Sequence, residues 1–154
     1  MKIGDILKPE CVLADISGDT KKDILTALSK PIAKAYGVSL DELVDTLLDR
    51  ENLGSTGIGE GIAIPHGKIR GLKSIAACVA RSSAGLAFNA LDGEPCHIFF
   101  VLAAPSDSAA GHLKALARAS VLLKNPTIKE SLIAAGSAAD IYKLLIEYDS
   151  RFDD

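Results

Sequence analysis

Cysteine is scarce and badly spaced for any framework: Cys11, Cys78 and Cys96 are odd in number, far apart and without a Cys-x-x-Cys pair. Neither a disulfide scaffold nor a zinc knuckle is indicated, and the three thiols read as small buried hydrophobes. Basic excess is missing too. With 17 Lys+Arg against 20 Asp+Glu the net charge is −3, so no global positive field exists to hold nucleic acid. Long apolar runs are absent: the longest, Ile98 to Pro105, is under half of the roughly 20 residues that a membrane-spanning helix needs. The N-terminus lacks the basic start, apolar middle and small-residue cleavage site of a signal peptide, so the expected location is the cytoplasm.

What remains is ordinary globular material, 48% hydrophobic and 24% charged, which excludes a disordered chain. A length of 154 residues buries one core well and two poorly, so a single domain over residues 1–154 is expected, with no internal repeat or linker.

Val12 to Ile16 is β-branched enough for a first strand. Thr20 with Asp23 and Ser39 with Glu42 resemble capping boxes, each ahead of an apolar helical spacing: Ile24, Leu25, Leu28, Ile32 and Ala35 up to Gly37, then Leu43, Val44, Leu47 and Leu48 up to Arg50. Pro31 falls inside the first pattern and predicts a kink or break. Ile62 to Pro65 and Ile75 to Arg81 are strand candidates, and Gly85 to Leu91 alternates weakly before the turn signal Asp92-Gly93. His97 to Ala104 is continuously apolar and reads as a strand buried on both faces. Pro105-Ser106-Asp107-Ser108 ends it and caps the next helix, where Leu113, Leu116, Ala117, Ser120 and Leu123 keep helical spacing. Asn125-Pro126 caps a helix stopping at Gly136, and Ser137 with Asp140 caps a last one. Strands and helices interspersed in this way predict an α/β domain: three layers, with a mixed sheet of mostly four to five strands flanked by helices.

The chemistry concentrates between Arg50 and Lys68. Glycines at 54, 57, 59 and 61 let the backbone fold tightly, so that successive N–H groups converge on one bound anion, and His66 follows a short apolar run. Nucleotide loops do not fit. Five residues rather than four separate Gly61 from Gly67-Lys68, and Ile69 stands where a Walker loop needs Ser or Thr. Gly57-x-Gly-x-Gly61 misses the dinucleotide fingerprint by one position and precedes a strand, and no nucleophile elbow surrounds Ser55.

Asn52 to Gly67, with Gly-Ser-Thr-Gly-Ile-Gly-Glu-Gly-Ile-Ala-Ile-Pro-His-Gly from residue 54, resembles the phosphorylation-site signature of the type-2 enzyme IIA domains (mannitol/fructose type) of the bacterial phosphoenolpyruvate-dependent phosphotransferase system. The wording is most similar to the free-standing nitrogen-regulatory branch. Segments such as Phe88-Asn-Ala-Leu-Asp-Gly and Gly111-His-Leu-Lys-Ala-Leu extend the resemblance over essentially the whole chain.

The resemblance implies that His66 accepts a phosphoryl group through Nε2 from a small histidine phosphocarrier (HPr-like, NPr in the nitrogen branch). It also implies phosphorylation-dependent contacts with targets such as kinases or potassium transporters. In the sugar-specific alternative the phosphate passes to an EIIB component of a transporter. Arg50 matches an arginine placed near the phosphoryl oxygens, and His112 a second histidine beside the first; Ser55, Thr56 and Glu60 are expected as supporting groups. No cofactor, metal, nucleic acid or inserted membrane segment is implied. Plain alternatives stand beside these roles: Arg50 complements a helix dipole, His112 is an ordinary first-turn residue, Glu60 is a solvated loop charge, and His97, with no motif match, is structural. A metal site of His66, His112 and Glu60 would have suitable ligand types but no sequence-local spacing.

Overall fold

Side chains that satisfy free N–H groups set most helix starts in the computed structural model, which describes residues 1–151; residues 152–154 of the expected domain span lie outside the described residues. Thr20 accepts from the Asp23 amide at 3.1 Å and opens α1 (Lys21–Tyr36). Ser39 accepts from the Glu42 amide at 3.2 Å and opens α2 (Leu40–Asn52). At α3 (Ala109–Lys124) the expected cap is not made: Ser108 holds the position but forms no side-chain bond. Asn125 accepts from the Thr127 and Ile128 amides ahead of α4 (Pro126–Ala134), and Ser137 from the Asp140 amide ahead of α5 (Ala138–Ser150). Each such cap contributes about 1 kcal/mol.

Pro31 does not break α1, which runs on to Tyr36 and ends at Gly37 with φ 68°. Ile24, Leu25 and Leu28 before the proline and Ile32 after it are fully buried. At about 1.5–3 kcal/mol per buried side chain, that burial outweighs the roughly 3 kcal/mol an interior proline costs.

The strands are β1 (Leu7–Leu13), β2 (Gly57–Gly59), β3 (Ile62–Ala63), β4 (His66–Ile69), β5 (Ala76–Leu86) and β6 (Cys96–Pro105). They form one mixed sheet in the order β1-β5-β6-β3-β2, with β4 also paired to β6. β1 and β5 are parallel, β5 and β6 antiparallel, and β3 and β4 both run parallel to β6. The pairings Ile62 with Ile98 and His66 with Leu102 share one register, so β3 and β4 are a single strand position interrupted at Ile64-Pro65. The six assigned strands thus occupy the five positions at the upper end of the expected range. β1 starts earlier than Val12 because its first half is polar and hides the strand signal: Lys8, Pro9 and Glu10 are exposed. Pro9 is tolerated where the edge pairing is interrupted between Leu7 and Val12.

Ile98 to Ala104 is buried at every residue, as a strand covered on both faces must be. One covering layer is α1 with α2, packed on β1, β4 and β5; the other is α3, α4 and α5, packed on β6, β5 and β1. The result is an α/β/α arrangement around one continuous apolar cluster. α3 turns a different face inward from the one its leucines mark. His112, Ala115, Ala119, Leu122 and Leu123 are buried, whereas Leu113 is 67% exposed. Alanines let α3 approach β6 closely, while Leu113 faces outward and Leu116 is half-buried. Among the described residues no helix is long and apolar enough to cross a membrane.

Candidate functional site

The loop after α2 is organised by a carboxylate that no sequence motif marks. Glu51 is 2% exposed and accepts from the Thr56 amide, at 2.9 and 3.2 Å to its two oxygens, and from the Thr56 hydroxyl. Lys21, from the start of α1, meets the second oxygen at 2.8 Å. The expected cradle of N–H groups around a bound anion is therefore partly filled by the chain's own anion. Gly54 N–H returns to the Glu51 carbonyl, and Gly57 N–H donates to Ser55 Oγ. Glu60 and Gly61 then close the β2–β3 hairpin with φ of 59° and 78°, the signs of a type I′ turn.

His66 opens β4 directly after the interruption at Pro65. The Thr56 carbonyl accepts from Ile64 N–H at 3.0 Å, and the Ile64 carbonyl lies 2.8 Å from His66 Nδ1. A carbonyl can only accept, so Nδ1 carries the proton and the neutral ring presents its lone pair at Nε2. Next to it, Gly67 permits α2 to pack on β4, since a Cβ there would stand 2.7 Å from Thr46 Cγ2.

His112, in the first turn of α3, meets His66 edge to face, with ring centroids 5.3 Å apart and planes at 81°. Its Nδ1 is buried with no hydrogen-bond partner, so any group this ring binds is reached through Nε2. Burial lowers the His66 pKa from its ordinary 6.5; the Ile64 carbonyl opposes that shift, Arg50 adds to it and Glu51 opposes it. Burial also lowers the His112 pKa, followed by the influence of His66 and Lys68. Two neutral imidazoles near pH 7 result.

Arg50 lies in the last turn of α2, where Nη1 donates to the Gly54 carbonyl at 2.9 Å, so the guanidinium is tethered across the loop mouth. Arg50, Ser55, Thr56, Ile58, His66 and Leu116 help line one open cavity of about 210 Å³. The Ser55 hydroxyl is committed to the Phe88 carbonyl at 3.0 Å, and Thr56 is 4% exposed with its hydroxyl on Glu51, so both shape the wall through the backbone they hold. Glu60 does not line this cavity; it sits exposed at the hairpin tip, with its amide on Asp92 at 3.0 Å and its carbonyl accepting from Lys129. His97 is held by the Ser82 carbonyl at 2.9 Å from its Nδ1, and its ring packs where a Cβ on Gly85 would collide with it. Among the described residues no group of three or more His, Cys, Asp or Glu is placed to hold a metal ion.

The site thus combines a pair of imidazoles, of which His66 lines the small open cavity, with an arginine and a carbonyl-fixed tautomer. The model of a family described as the phosphoenolpyruvate-dependent sugar phosphotransferase system, EIIA 2, covers residues 5–148. The chain belongs to this enzyme IIA family.

Among enzyme IIA relatives, the nitrogen regulatory protein of Bradyrhizobium diazoefficiens is 39% identical over 145 residues, 94% of this chain and 95% of that one. The fructose-specific EIIABC component of Bacillus subtilis is 33% identical over 150 residues, 97% of this chain but 24% of that larger protein. Among solved structures, the nitrogen regulatory protein IIA-Ntr of Neisseria meningitidis superposes with a TM-score of 0.86 at 31% identity, covering 93% of this chain and 98% of that one. Family membership makes the protein a phosphotransferase-system component, with nitrogen regulatory proteins among its relatives.

Proposed function

We propose that this enzyme IIA is a phosphocarrier and regulatory protein of the nitrogen-type branch, phosphorylated reversibly on Nε2 of His66 by an HPr-like (NPr) carrier in the cytoplasm. The observation that carries this reading is the 2.8 Å contact between His66 Nδ1 and the Ile64 carbonyl, which leaves Nε2 as the nucleophile. In the transfer, the N–P bond of the donor phosphohistidine breaks as Nε2–P forms. The His66 ring gains positive character, which the Ile64 carbonyl stabilises by accepting the hydrogen bond from Nδ1–H, and no proton has to leave before attack. Arg50 and His112 Nε2 supply charge and a hydrogen bond to the phosphoryl oxygens, so that catalysis is mostly positioning and electrostatics.

Exposed leucines close in sequence to Arg50 and His112 suit partner docking. Leu53, three residues beyond Arg50, is 85% exposed, and Leu113, next to His112, is 67% exposed. Apolar side chains flanking a reactive group suit a protein partner, and a new phosphoryl charge of about −2 between them changes what binds. Regulated targets such as kinases or potassium transporters are read out in this way. The test is incubation with phosphoenolpyruvate, enzyme I and the phosphocarrier, then intact mass. An acid-labile gain of about 80 Da is expected in the wild type and not in His66→Ala; an unmodified wild type rejects the reading.

The likeness to the fructose-specific EIIABC component favours a second reading, a sugar-specific enzyme IIA that relays phosphate to an EIIB component. Efficient, saturable transfer from the phosphorylated protein to a purified sugar EIIB supports that alternative and displaces the nitrogen-type one.

A further inference from the structure

We propose that Glu51, neutralised by Lys21, is a positioning residue that fixes the tautomer of His66 through Thr56 and Ile64. This rests on the reading of His66 as the phosphoryl acceptor. The path is continuous in hydrogen bonds. Lys21 Nζ meets Glu51 at 2.8 Å, Glu51 takes both the amide and the hydroxyl of Thr56, the Thr56 carbonyl takes Ile64 N–H at 3.0 Å, and the Ile64 carbonyl takes His66 Nδ1–H at 2.8 Å.

Each link has a physical reason to exist. A free imidazole carries its proton mostly on Nε2, which would block the atom that must attack. Holding the proton on Nδ1 therefore requires an acceptor of fixed position. That acceptor belongs to a two-residue turn through Pro65, which has no N–H of its own and keeps Ile64 extended. On the other side of Ile64 its N–H is held by the Thr56 carbonyl, and Thr56 is placed by its amide and hydroxyl bonds to Glu51 together with the β2–β3 pairing that follows it.

Lys21 explains why a carboxylate can do this so close to the site. It occupies the first position of α1, where a cation opposes the helix dipole, and from there it reaches a Glu51 side chain that is 0% exposed. The Lys21 charge compensates the buried Glu51 carboxylate, and removing one partner of such a buried pair is strongly destabilising. Arg50, the adjacent residue, points instead to the cavity mouth, so two neighbouring charges on α2 serve opposite sides of the loop.

The experiment combines two readouts on wild type, Glu51→Gln, Lys21→Met and Thr56→Val. Long-range proton–nitrogen spectra of the unphosphorylated protein at pH 7.5 report which nitrogen of His66 is protonated, with no donor needed. Single-turnover phosphorylation by the phosphocarrier reports the rate. Glu51→Gln is expected to move His66 from the Nδ1–H form toward the Nε2–H form and to slow phosphorylation about tenfold or more, with Thr56→Val and Lys21→Met shifting both readouts in the same direction. A Glu51→Gln protein whose His66 stays in the Nδ1–H form overturns the proposal whatever its rate, because a slow rate alone would reflect a damaged fold. If Glu51→Gln does not melt cooperatively, Thr56→Val and Lys21→Met decide by the same criterion. A wild type that the donor never phosphorylates overturns the functional reading instead, and the tautomer comparison still decides whether the relay exists.

Discussion

Two imidazoles in contact, both with lowered pKa values, make the site's pH behaviour predictable. Because burial disfavours their charged forms, the unfolded chain binds more protons than the folded one once the pH falls below the ordinary histidine value of 6.5. The rings cost no stability above that value, and the penalty grows as the pH drops toward their folded pKa values. Urea midpoints are expected to fall between pH 7.5 and 5.5, and to fall less in His112→Gln. The phosphorylation rate is expected to be flat above neutrality and to decline only in acid, as the His66 lone pair is protonated. His112→Ala keeps the nucleophile and removes a stabilising group, so transfer is expected to slow on the order of a hundredfold without being abolished. A variant within twofold of the wild type would assign His112 to packing. Of the residues at this scale, His66, Arg50 and His112 were legible as motif positions. Glu51 was not, because a glutamate next to Arg50 near a helix end looks like any solvated charge until the loop folds over it.

At the scale of elements, the β2–β3 hairpin carries Glu60 away from the cavity that His66 lines. Glu60 adopts φ 59°, outside the cavity that His66 lines, in a conformation that asparagine tolerates better. Glu60→Asn is expected to raise stability by about 0.5–1 kcal/mol and to leave the phosphorylation rate within twofold. A rate loss of tenfold with the fold intact would return Glu60 to the site. Helix starts were readable at Thr20, Ser39, Asn125 and Ser137, since capping depends on residues three apart in sequence. The inward face of α3 was not. Leu123 of the expected stripe is buried, but Leu113 is not, because Ala115 and Ala119 are the residues buried beside it on the inward face. The first strand was misplaced for a related reason: at a sheet edge, neighbours rather than alternation decide which residues pair.

On the scale of the whole molecule, the described chain is tied together by polar bonds that no local pattern announces. Buried Asp149 near the end of α5 accepts from the Ile3 amide at 2.7 Å and from Arg118 Nε at 2.6 Å, joining the N-terminal segment, α3 and α5. On β5, Arg81 donates to the Ala14 carbonyl and to the carbonyls at the end of α4, including Ala135. Asp149→Ala is expected to lower unfolding free energy by about 3 kcal/mol in urea titrations, because it leaves a buried amide and a guanidinium without that acceptor; a change below 0.5 kcal/mol would show that the tie is dispensable. These bonds keep α3 seated, and α3 carries His112 to His66. The central claim is that this scaffold delivers Nε2 of His66 as the phosphoryl acceptor, and it is tested most directly on the nitrogen-labelled phosphoprotein by phosphorus–nitrogen correlation. The predicted spectrum shows phosphorus coupled to Nε2 of His66 with Nδ1 still protonated; coupling to Nδ1, or to a nitrogen of His112, would contradict it.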